Sequence, residues 1–151
     1  MKLPAFIALS FAVLCVPVHA TDGLVAIPCA QTVKTCLDRL ETLTRARGLK
    51  TFARIDHAAA AASIGTTLRP TELLIFGHPR LGTPLLKCSQ TYGISLPLHV
   101  LAWEDSKGKR WIGYRDPAGV AQSHPDAACK ARLTQVTQNL DEMVRAVASQ
   151  P

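Results

Sequence analysis

The chain has 151 residues, of which 48% are hydrophobic and 19% are charged, and its formal net charge at pH 7 is +6. That length suits one domain with a real core, and no internal repeat or low-complexity linker divides it. The positive charge is scattered and does not alternate with aromatic residues, so it predicts a solvated surface and no nucleic-acid partner.

The first twenty residues predict an export signal. Lys2 supplies the positive start, residues 5–16 form an apolar stretch too short to cross a bilayer comfortably, and Val18-His19-Ala20 offers small residues at a cleavage site. Cleavage there would leave residues 21–151 as a single domain of net charge +5, because Lys2 is lost. We therefore expect a periplasmic or secreted protein with no membrane segment after cleavage, and the alternative is a retained anchor.

Four cysteines follow the predicted signal, and none stands in a C-x-x-C motif. An even number in an oxidising compartment predicts two disulfides. Of the three pairings we favour Cys29–Cys36 with Cys88–Cys129, because a helix capped by Thr32 would turn Cys36 toward Cys29. Four unpaired buried thiols are the alternative, and a free reactive thiol would indicate a thiol-redox protein.

Strands and helices alternate along the first part of the chain, and a hairpin and a final helix follow. Strands are predicted at residues 23–27, 49–55 and 71–76, helices at 32–47, after Asp56 as far as Gly65, and at 80–90, and the hairpin at 98–104 and 110–115. The last helix is predicted to start near Ser123-His124-Pro125, and its apolar stripe comprises Leu133, Val136, Leu140, Met143, Val144 and Val147. This order predicts an α+β fold with a mixed or mainly antiparallel sheet and helices packed on it.

The turn at residues 77–83 lies between two apolar runs and has the glycine spacing of a phosphate-binding P-loop. A P-loop needs lysine directly after its second glycine, where this chain has Thr83. Pro79 also removes a backbone N–H that would face an anion. We therefore do not expect this turn to bind nucleotide phosphates.

Matching residues in one order run through most of the chain after the signal. They are residues 52–61 (FARIDHAAAA), Gly65, 68–73 (LRPTEL), 75–79 (IFGHP), Gly82-Thr83, 96–98 (LPL), 103–105 (WED) and 114–117 (YRDP). In these residues the chain resembles the family called domain of unknown function 302. The resemblance implies a compact α+β domain with a strongly bent antiparallel sheet, allows a homodimer, and implies no particular activity. His78 departs from the asparagine that relatives often carry, and the cysteine framework is particular to this chain.

Polar, glycine and proline residues in the matched segments collect at the predicted strand ends, where loops can converge. We expect them to form a ligand-binding cleft, whose candidate residues are Asp56, His57, Gly77, His78, Pro79, Thr83, Leu96 and Pro97. The sequence thus predicts an exported module that binds a small molecule or a protein, and no motif for a cofactor accompanies it.

Two other functions stay open at this point, namely the thiol-redox protein mentioned above and an enzyme. Asp56 could orient His57 as an acid–base pair of an enzyme, although Asp56 is also a good helix N-cap and neighbouring helical side chains diverge. His57, His78, His99 and His124 lack metal-ligand spacing, so no metal site is expected, and the alternative is a zinc or copper site assembled from distant segments.

Three further side chains have two interpretations each. Thr83 is expected to cap the following helix, with a ligand contact as the alternative. Trp103 and Trp111 are expected to pair across the hairpin and pack, with a stacking platform for a sugar or aromatic ligand as the alternative.

Overall fold

The computed structural model describes residues 23–117 and 126–150, so the predicted export signal at residues 1–20 lies outside the described part of the chain. Within that part, five strands form one antiparallel sheet in the order β1-β5-β4-β3-β2. The strands are β1 (Leu24–Pro28), β2 (Lys50–Asp56), β3 (Thr71–Gly77), β4 (Leu98–Glu104) and β5 (Arg110–Arg115). The helices are α1 (Val33–Ala46), α2 (His57–Ser63), α3 (Pro79–Cys88) and α4 (Ala127–Ala148), with a 3-10 helix at Gln90–Ser95. The predicted α+β fold with a mainly antiparallel sheet is confirmed.

Helices α1 and α4 cover one face of the sheet. Alternate residues of the central strands point to that face because side chains alternate along a strand, and Leu74, Phe76, Val100 and Ala102 are fully buried. From α4 the predicted stripe reaches the interior, since Leu133, Leu140, Met143, Val144 and Val147 are buried and Val136 is partly buried. Full burial of each large aliphatic side chain contributes about 1.5–3 kcal/mol, so this layer supplies the main stabilisation of the fold.

Helix boundaries follow local capping chemistry. Thr32 caps α1 as predicted, since its Oγ1 accepts a hydrogen bond from the backbone N–H of Thr35 at 3.1 Å. The predicted start of α4 near residues 123–125 lies outside the described residues. The described helix begins at Ala127, because the Asp126 carboxylate accepts from the backbone N–H groups of Ala128 and Cys129 at 2.7 and 3.1 Å.

Both favoured disulfides are present in the structure, as Cys29–Cys36 and Cys88–Cys129. The first closes the entry to α1 over a separation of seven residues, and the second joins the end of α3 to the first turn of α4 over a separation of 41 residues. The predicted helix at residues 80–90 ends earlier than expected, at Cys88, and a 3-10 helix follows it in the chain.

Arg54 of β2 links α1 to the sheet. Its guanidinium contacts the carboxylates of Asp38 and Glu41 on α1, and its Nη2 lies 2.6 Å from Oε2 of Glu72 on β3. Partial burial of Asp38 raises the pKa of its carboxyl, but hydrogen bonds from Lys34 and Arg54 outweigh that effect and hold the pKa below its usual value. The ion pair between Arg54 and Asp38 therefore favours the ionised form of the Asp38 carboxyl.

Tyr114 of β5 makes the corresponding link to α4. Its hydroxyl donates to Oδ1 of Asp141 at 2.9 Å, and Oδ2 of Asp141 accepts from Nε of Arg145 at 2.6 Å. Burial, with the hydrogen bond to Asp141, raises the pKa of Tyr114 well above its ordinary value. The hydrogen bond from Arg145 lowers the pKa of Asp141, so the pair favours a protonated phenol beside an ionised carboxylate.

The opposite face of the sheet carries the predicted tryptophan pair. Trp103 and Trp111 are direct cross-strand partners whose ring centroids lie 6.3 Å apart, so the predicted pairing is confirmed. The Trp111 indole N–H also donates to Asp105, the residue that closes the hairpin turn. His99 is partly buried on this face, opposite Ile75, as strand alternation predicts. Among the described residues, no helix has both the length and the apolar composition that a membrane crossing requires.

Candidate functional site

A cavity of about 750 Å³ lies between α3, α4 and the adjoining ends of β3 and β4. Its walls also include the chain that leaves α1 and enters β2, and part of the 3-10 helix. The lining residues are Arg47, Leu49, Phe52, Gly77, His78, residues 79–86 of α3, Gly93, residues 96–98, and Arg132, Gln135, Val136, Asn139 and Met143 of α4. A volume of this size is typical of sites that hold a small organic molecule.

The cavity lies where two hydrophobic clusters meet. The larger cluster is the core between the sheet and helices α1 and α4, and it includes Met143. The smaller one joins α3, the 3-10 helix and the start of α4, with Leu85, Tyr92 and Leu133 buried in it. Residues of both clusters line the cavity, so the cavity is the space that remains unfilled between the two clusters.

Large apolar side chains stay exposed around the cavity. Phe52, Leu81 and Leu86 are 50%, 51% and 37% exposed, although each is a residue that normally contributes to a core. Deeper in the cavity, Leu85 and Met143 are buried. Exposed apolar surface that continues into a buried apolar wall is typical of ligand-binding grooves.

His78 holds the start of α3 with its side chain. Its Nδ1 accepts a hydrogen bond from the backbone N–H of Arg80 at 3.1 Å, and Pro79 occupies the first helical position. Since Nδ1 is the acceptor, the proton of a neutral His78 is on Nε2, which remains able to donate. The prediction that Thr83 caps this helix is wrong, because Thr83 lies inside α3 and His78 takes the capping position.

Arginines from three different elements contribute to the lining. Arg47 follows the last residue of α1, Arg80 lies in the first turn of α3, and Arg132 lies in α4. All three are exposed, and the residues that line the cavity include neither aspartate nor glutamate. The polar part of the site is therefore cationic.

Two amides of α4 add to the polar wall. Nε2 of Gln135 donates to Oδ1 of Asn139 at 3.1 Å, one turn along the helix. This bond uses one lone pair of the Asn139 carbonyl oxygen and leaves the amide N–H₂ group of Asn139 as a donor. With Nε2 of His78 and the guanidinium groups, hydrogen-bond donors predominate among the polar groups that line the cavity.

The structure brings together six of the eight candidate ligand-binding residues and leaves two outside. Those that line the cavity are Gly77, His78, Pro79, Thr83, Leu96 and Pro97. Asp56 and His57 do not line it. Asp56 instead caps α2, because its Oδ1 accepts from the backbone N–H of Ala59 at 2.9 Å, and His57 is the exposed first residue of that helix.

Sequence reasoning missed the contribution of α4 and of Arg47. Arg132, Val136, Asn139 and Met143 follow one another at intervals of four, three and four residues, so they share one face of α4. That spacing is visible in the sequence, but the predicted apolar stripe of this helix includes only Val136 and Met143 of the four residues. In the described ranges, no group of three or more histidine, cysteine, aspartate or glutamate side chains is arranged to hold a metal ion.

Comparison with known proteins identifies the family but not an activity. Curated relatives from Brucella suis biovar 1 (strain 1330) and Brucella abortus biovar 1 (strain 9-941), both named "Fluoride-specific ion channel FluC 1", are 41% identical over 118 residues, or 75% of this chain. The chain spans less than half of those proteins, 46% and 44% of their lengths.

A solved structure shows the same fold. The crystal structure of an uncharacterized conserved protein DUF302 from Bacillus stearothermophilus is similar to this chain with a TM-score of 0.69 at 16% identity. The match covers 83% of this chain and 95% of the other. The family model "Domain of unknown function DUF302" matches residues 25–147. The chain therefore belongs to the family of domain of unknown function DUF302.

Proposed function

We propose that this domain is a binding module that holds a small, mainly apolar molecule in the cavity between α3 and α4. The observation that carries the proposal is a cavity of about 750 Å³ whose apolar lining includes the exposed side chains of Phe52, Leu81 and Leu86 and the buried side chains of Leu85 and Met143. Exposed apolar side chains are unfavourable in water, so a ligand that covers them would gain free energy from their burial.

The two alternative functions receive less support from the geometry. An enzyme built on Asp56 and His57 would need both side chains at the cavity, but Asp56 caps α2 and neither residue lines the site. A thiol-redox protein would need an accessible reactive cysteine, but the four described cysteines form two disulfides and Cys29, Cys36 and Cys129 are buried.

The test uses N-phenyl-1-naphthylamine, a neutral dye whose fluorescence rises in an apolar environment. The variant Gly82→Leu extends a side chain into the cavity, since a Cβ at this position would lie 3.7 Å from Cδ1 of Leu96 without a clash. The matched control is Ala62→Leu, which places the same side chain on an exposed position of α2 outside the cavity. We expect saturable dye binding by the wild type, and at least tenfold weaker binding by Gly82→Leu.

A second variant tests the same cavity independently, in case Gly82→Leu does not fold. Leu81→Gln with Leu86→Gln removes two exposed apolar side chains from the rim, and circular dichroism checks that both altered proteins keep the fold. We expect this double variant also to bind the dye at least fivefold more weakly. The proposal is wrong if the wild type shows no saturable dye binding, or if all variants bind the dye like the wild type.

We also propose that the protein is exported before it folds. The sequence carries a predicted export signal, and two disulfides are typical of proteins that fold in an oxidising compartment. Fractionation of the native host, with mass spectrometry of the purified chain, should give a product that begins at residue 21 with four oxidised cysteines. Recovery of the full-length, reduced chain from the cytoplasm would contradict this proposal.

A second candidate function is a role beside a membrane channel. Its basis is the 41% identity with segments of two Brucella proteins named as fluoride-specific ion channels, in which a DUF302-like segment and the rest of the protein share one chain. Deletion of the gene in its host should then make growth more sensitive to fluoride than growth of the parental strain, with no change in the sensitivity to chloride. A plasmid copy of the gene should restore growth in fluoride. Equal sensitivity of the deleted and parental strains would remove this candidate.

A further inference from the structure

We infer that the ligand of the cavity is an amphiphile with an oxyanion head, bound by Arg47, Arg80 and Arg132, and an apolar tail that lies against the leucine-rich wall. This inference rests on the proposed function and adds the chemical class of the ligand. The shared chemistry is a carboxylate, sulfate or phosphate group on a hydrocarbon chain.

The first argument is the contrast between the cavity arginines and three arginines that form ion pairs elsewhere in the fold. Arg45 pairs with Glu41, Arg145 with Asp141, and Arg54 with three carboxylates. Arg47, Arg80 and Arg132 make no ion pair with a carboxylate of residues 23–117 or 126–150.

Three cations that line one cavity make its electrostatic potential positive, and a bound anion would be attracted to it. Guanidinium groups are suited to oxyanions because their planar N–H donors match two oxygens at once. Elements that are distant in the sequence supply these cations, from the end of α1, the start of α3 and the first half of α4. The folded structure is therefore what assembles the positive site.

The second argument is the kind of polar atom that accompanies the arginines. The bond from Gln135 to Asn139 leaves the Asn139 amide as a donor, and the bond from the Arg80 backbone to Nδ1 leaves Nε2–H of His78 as a donor. Donors can bind an oxyanion, whereas a ligand cation would need the carboxylates that the lining lacks.

The third argument is that the cationic and apolar surfaces lie in one cavity. Arg80 and Leu81 are neighbours in α3, and Arg132 and Val136 lie one turn apart on α4. A molecule that used only the arginines would leave the apolar wall exposed, and a molecule that used only the wall would leave the charges uncompensated. An amphiphile with an anionic head satisfies both surfaces.

The test measures how five ten-carbon compounds displace N-phenyl-1-naphthylamine, below the concentrations at which they form micelles. Decanol is neutral, decylamine is cationic, and decanoate, decyl sulfate and decyl phosphate carry the three oxyanion heads. For the wild type in 50 mM NaCl we expect at least one oxyanion compound to bind at least tenfold more tightly than decanol, and decylamine to bind no more tightly than decanol. The best of the three anions identifies the source of the head group.

The readout for the arginines is the ratio of the oxyanion affinity to the decanol affinity. We expect this ratio to fall below two in the variant R47Q/R80Q/R132Q, and to fall partly in each single variant. The control K87Q/K107Q/K130Q removes the same net charge from exposed positions outside the lining and should keep the wild-type ratio. In 500 mM NaCl the wild-type ratio should shrink, because salt screens exposed charges.

The outcomes separate the inference from the proposed function. Absence of saturable dye binding by the wild type would refute both. Dye binding with equal affinities for decanol and all three anions would refute the inference alone. An oxyanion preference that survives R47Q/R80Q/R132Q, or that K87Q/K107Q/K130Q also abolishes, would refute the assignment to the three arginines.

Discussion

Removal of the disulfide between Cys88 and Cys129 should lower the free energy of unfolding and also weaken dye binding in the cavity. Removal of the disulfide between Cys29 and Cys36 should lower the free energy of unfolding alone. In the chain-entropy model a separation of 41 residues corresponds to about 4 kcal/mol, and a separation of seven residues to about 2.4 kcal/mol. We therefore expect the free energy of unfolding of C88A/C129A to fall about 1.5 kcal/mol further than that of C29A/C36A.

The effect on binding comes from the position of the bridge. Cys88 ends α3 and Cys129 lies in the first turn of α4, so the disulfide joins the two helices that form opposite walls of the cavity. Cys29–Cys36 lies at the entry to α1, and neither cysteine lines the cavity. Urea unfolding followed by circular dichroism measures stability, and the neutral dye measures the cavity under native conditions.

We expect C88A/C129A to bind the dye at least fivefold more weakly than the wild type, and C29A/C36A to bind it within twofold of the wild type. Equal dye affinities for both variants would refute the reasoning, whatever their stabilities. A loss of stability in C29A/C36A as large as that in C88A/C129A would contradict the loop-length argument.

Three further substitutions test the contacts that position the helices and strands. Arg54→Met should lower the free energy of unfolding at pH 7 by about 2 kcal/mol, because it leaves the part-buried carboxylate of Glu72 unpaired. Tyr114→Phe should lower it by about 1 kcal/mol, because the hydrogen bond to Asp141 is lost. Gly113→Ala should cost more than 2 kcal/mol, because a Cβ there would lie 2.5 Å from a backbone carbonyl oxygen of β1. Urea unfolding measures all three, with Ala62→Leu as the control at an exposed site.

The contacts removed by the first two substitutions should contribute to the free energy of unfolding with opposite pH dependences. The pKa of Asp38 is lowered in the folded state, so its contribution is present above the unfolded value of 3.8 and is lost as the pH falls through the folded pKa. The stability of the wild type should therefore decline more steeply in acid than that of Arg54→Met. The pKa of Tyr114 is raised above its unfolded value of 10.0, so its contribution is present below pH 10 and declines as the pH rises further.

Parallel pH profiles of the wild type and each variant would contradict these assignments. For Gly113→Ala the contrary result is a stability within 0.5 kcal/mol of the wild type, a limit typical of ordinary surface substitutions.

Local chemistry explains which parts of the fold the sequence predicts well. Thr32 as a cap and Gly48 as a stop determine α1 within one residue, and the β4–β5 hairpin has the predicted bounds. These features depend on residues that are neighbours in the chain. The capping role of His78 was missed because histidine is not among the preferred cap residues, and only the folded backbone places its Nδ1 beside the N–H of Arg80.

The candidate site was predicted only in part, for a different physical reason. Gly77, His78, Pro79 and Leu96-Pro97 could be grouped because they lie at the end of β3 and just before the start of β4, which antiparallel pairing brings side by side. The contribution of α4 could not be inferred from periodicity, because a 3.6-residue stripe looks the same whether a helix faces a packed core or the wall of a cavity. Val136 lies in the predicted stripe and still lines the open space.

The Cys88–Cys129 disulfide and the cavity both lie where the hydrophobic packing is weakest. Among the residues that the structure describes, the smaller hydrophobic cluster has only Leu85, Tyr92 and Leu133 fully in its interior, so it contributes far less burial than the core beneath α1. Regions with few buried apolar contacts open at a low free-energy cost. Easy opening allows a ligand to enter the site, but it also lowers the local stability of the fold. The bridge between Cys88 and Cys129 restrains α3 and α4 at this weak point without filling the space between them. A ligand in the cavity would supply the apolar contacts that the cluster lacks. At a ligand concentration of about 100 times the Kd of each protein, binding should raise the free energy of unfolding of both by about 2.7 kcal/mol, which is a larger fraction of the lower stability of C88A/C129A.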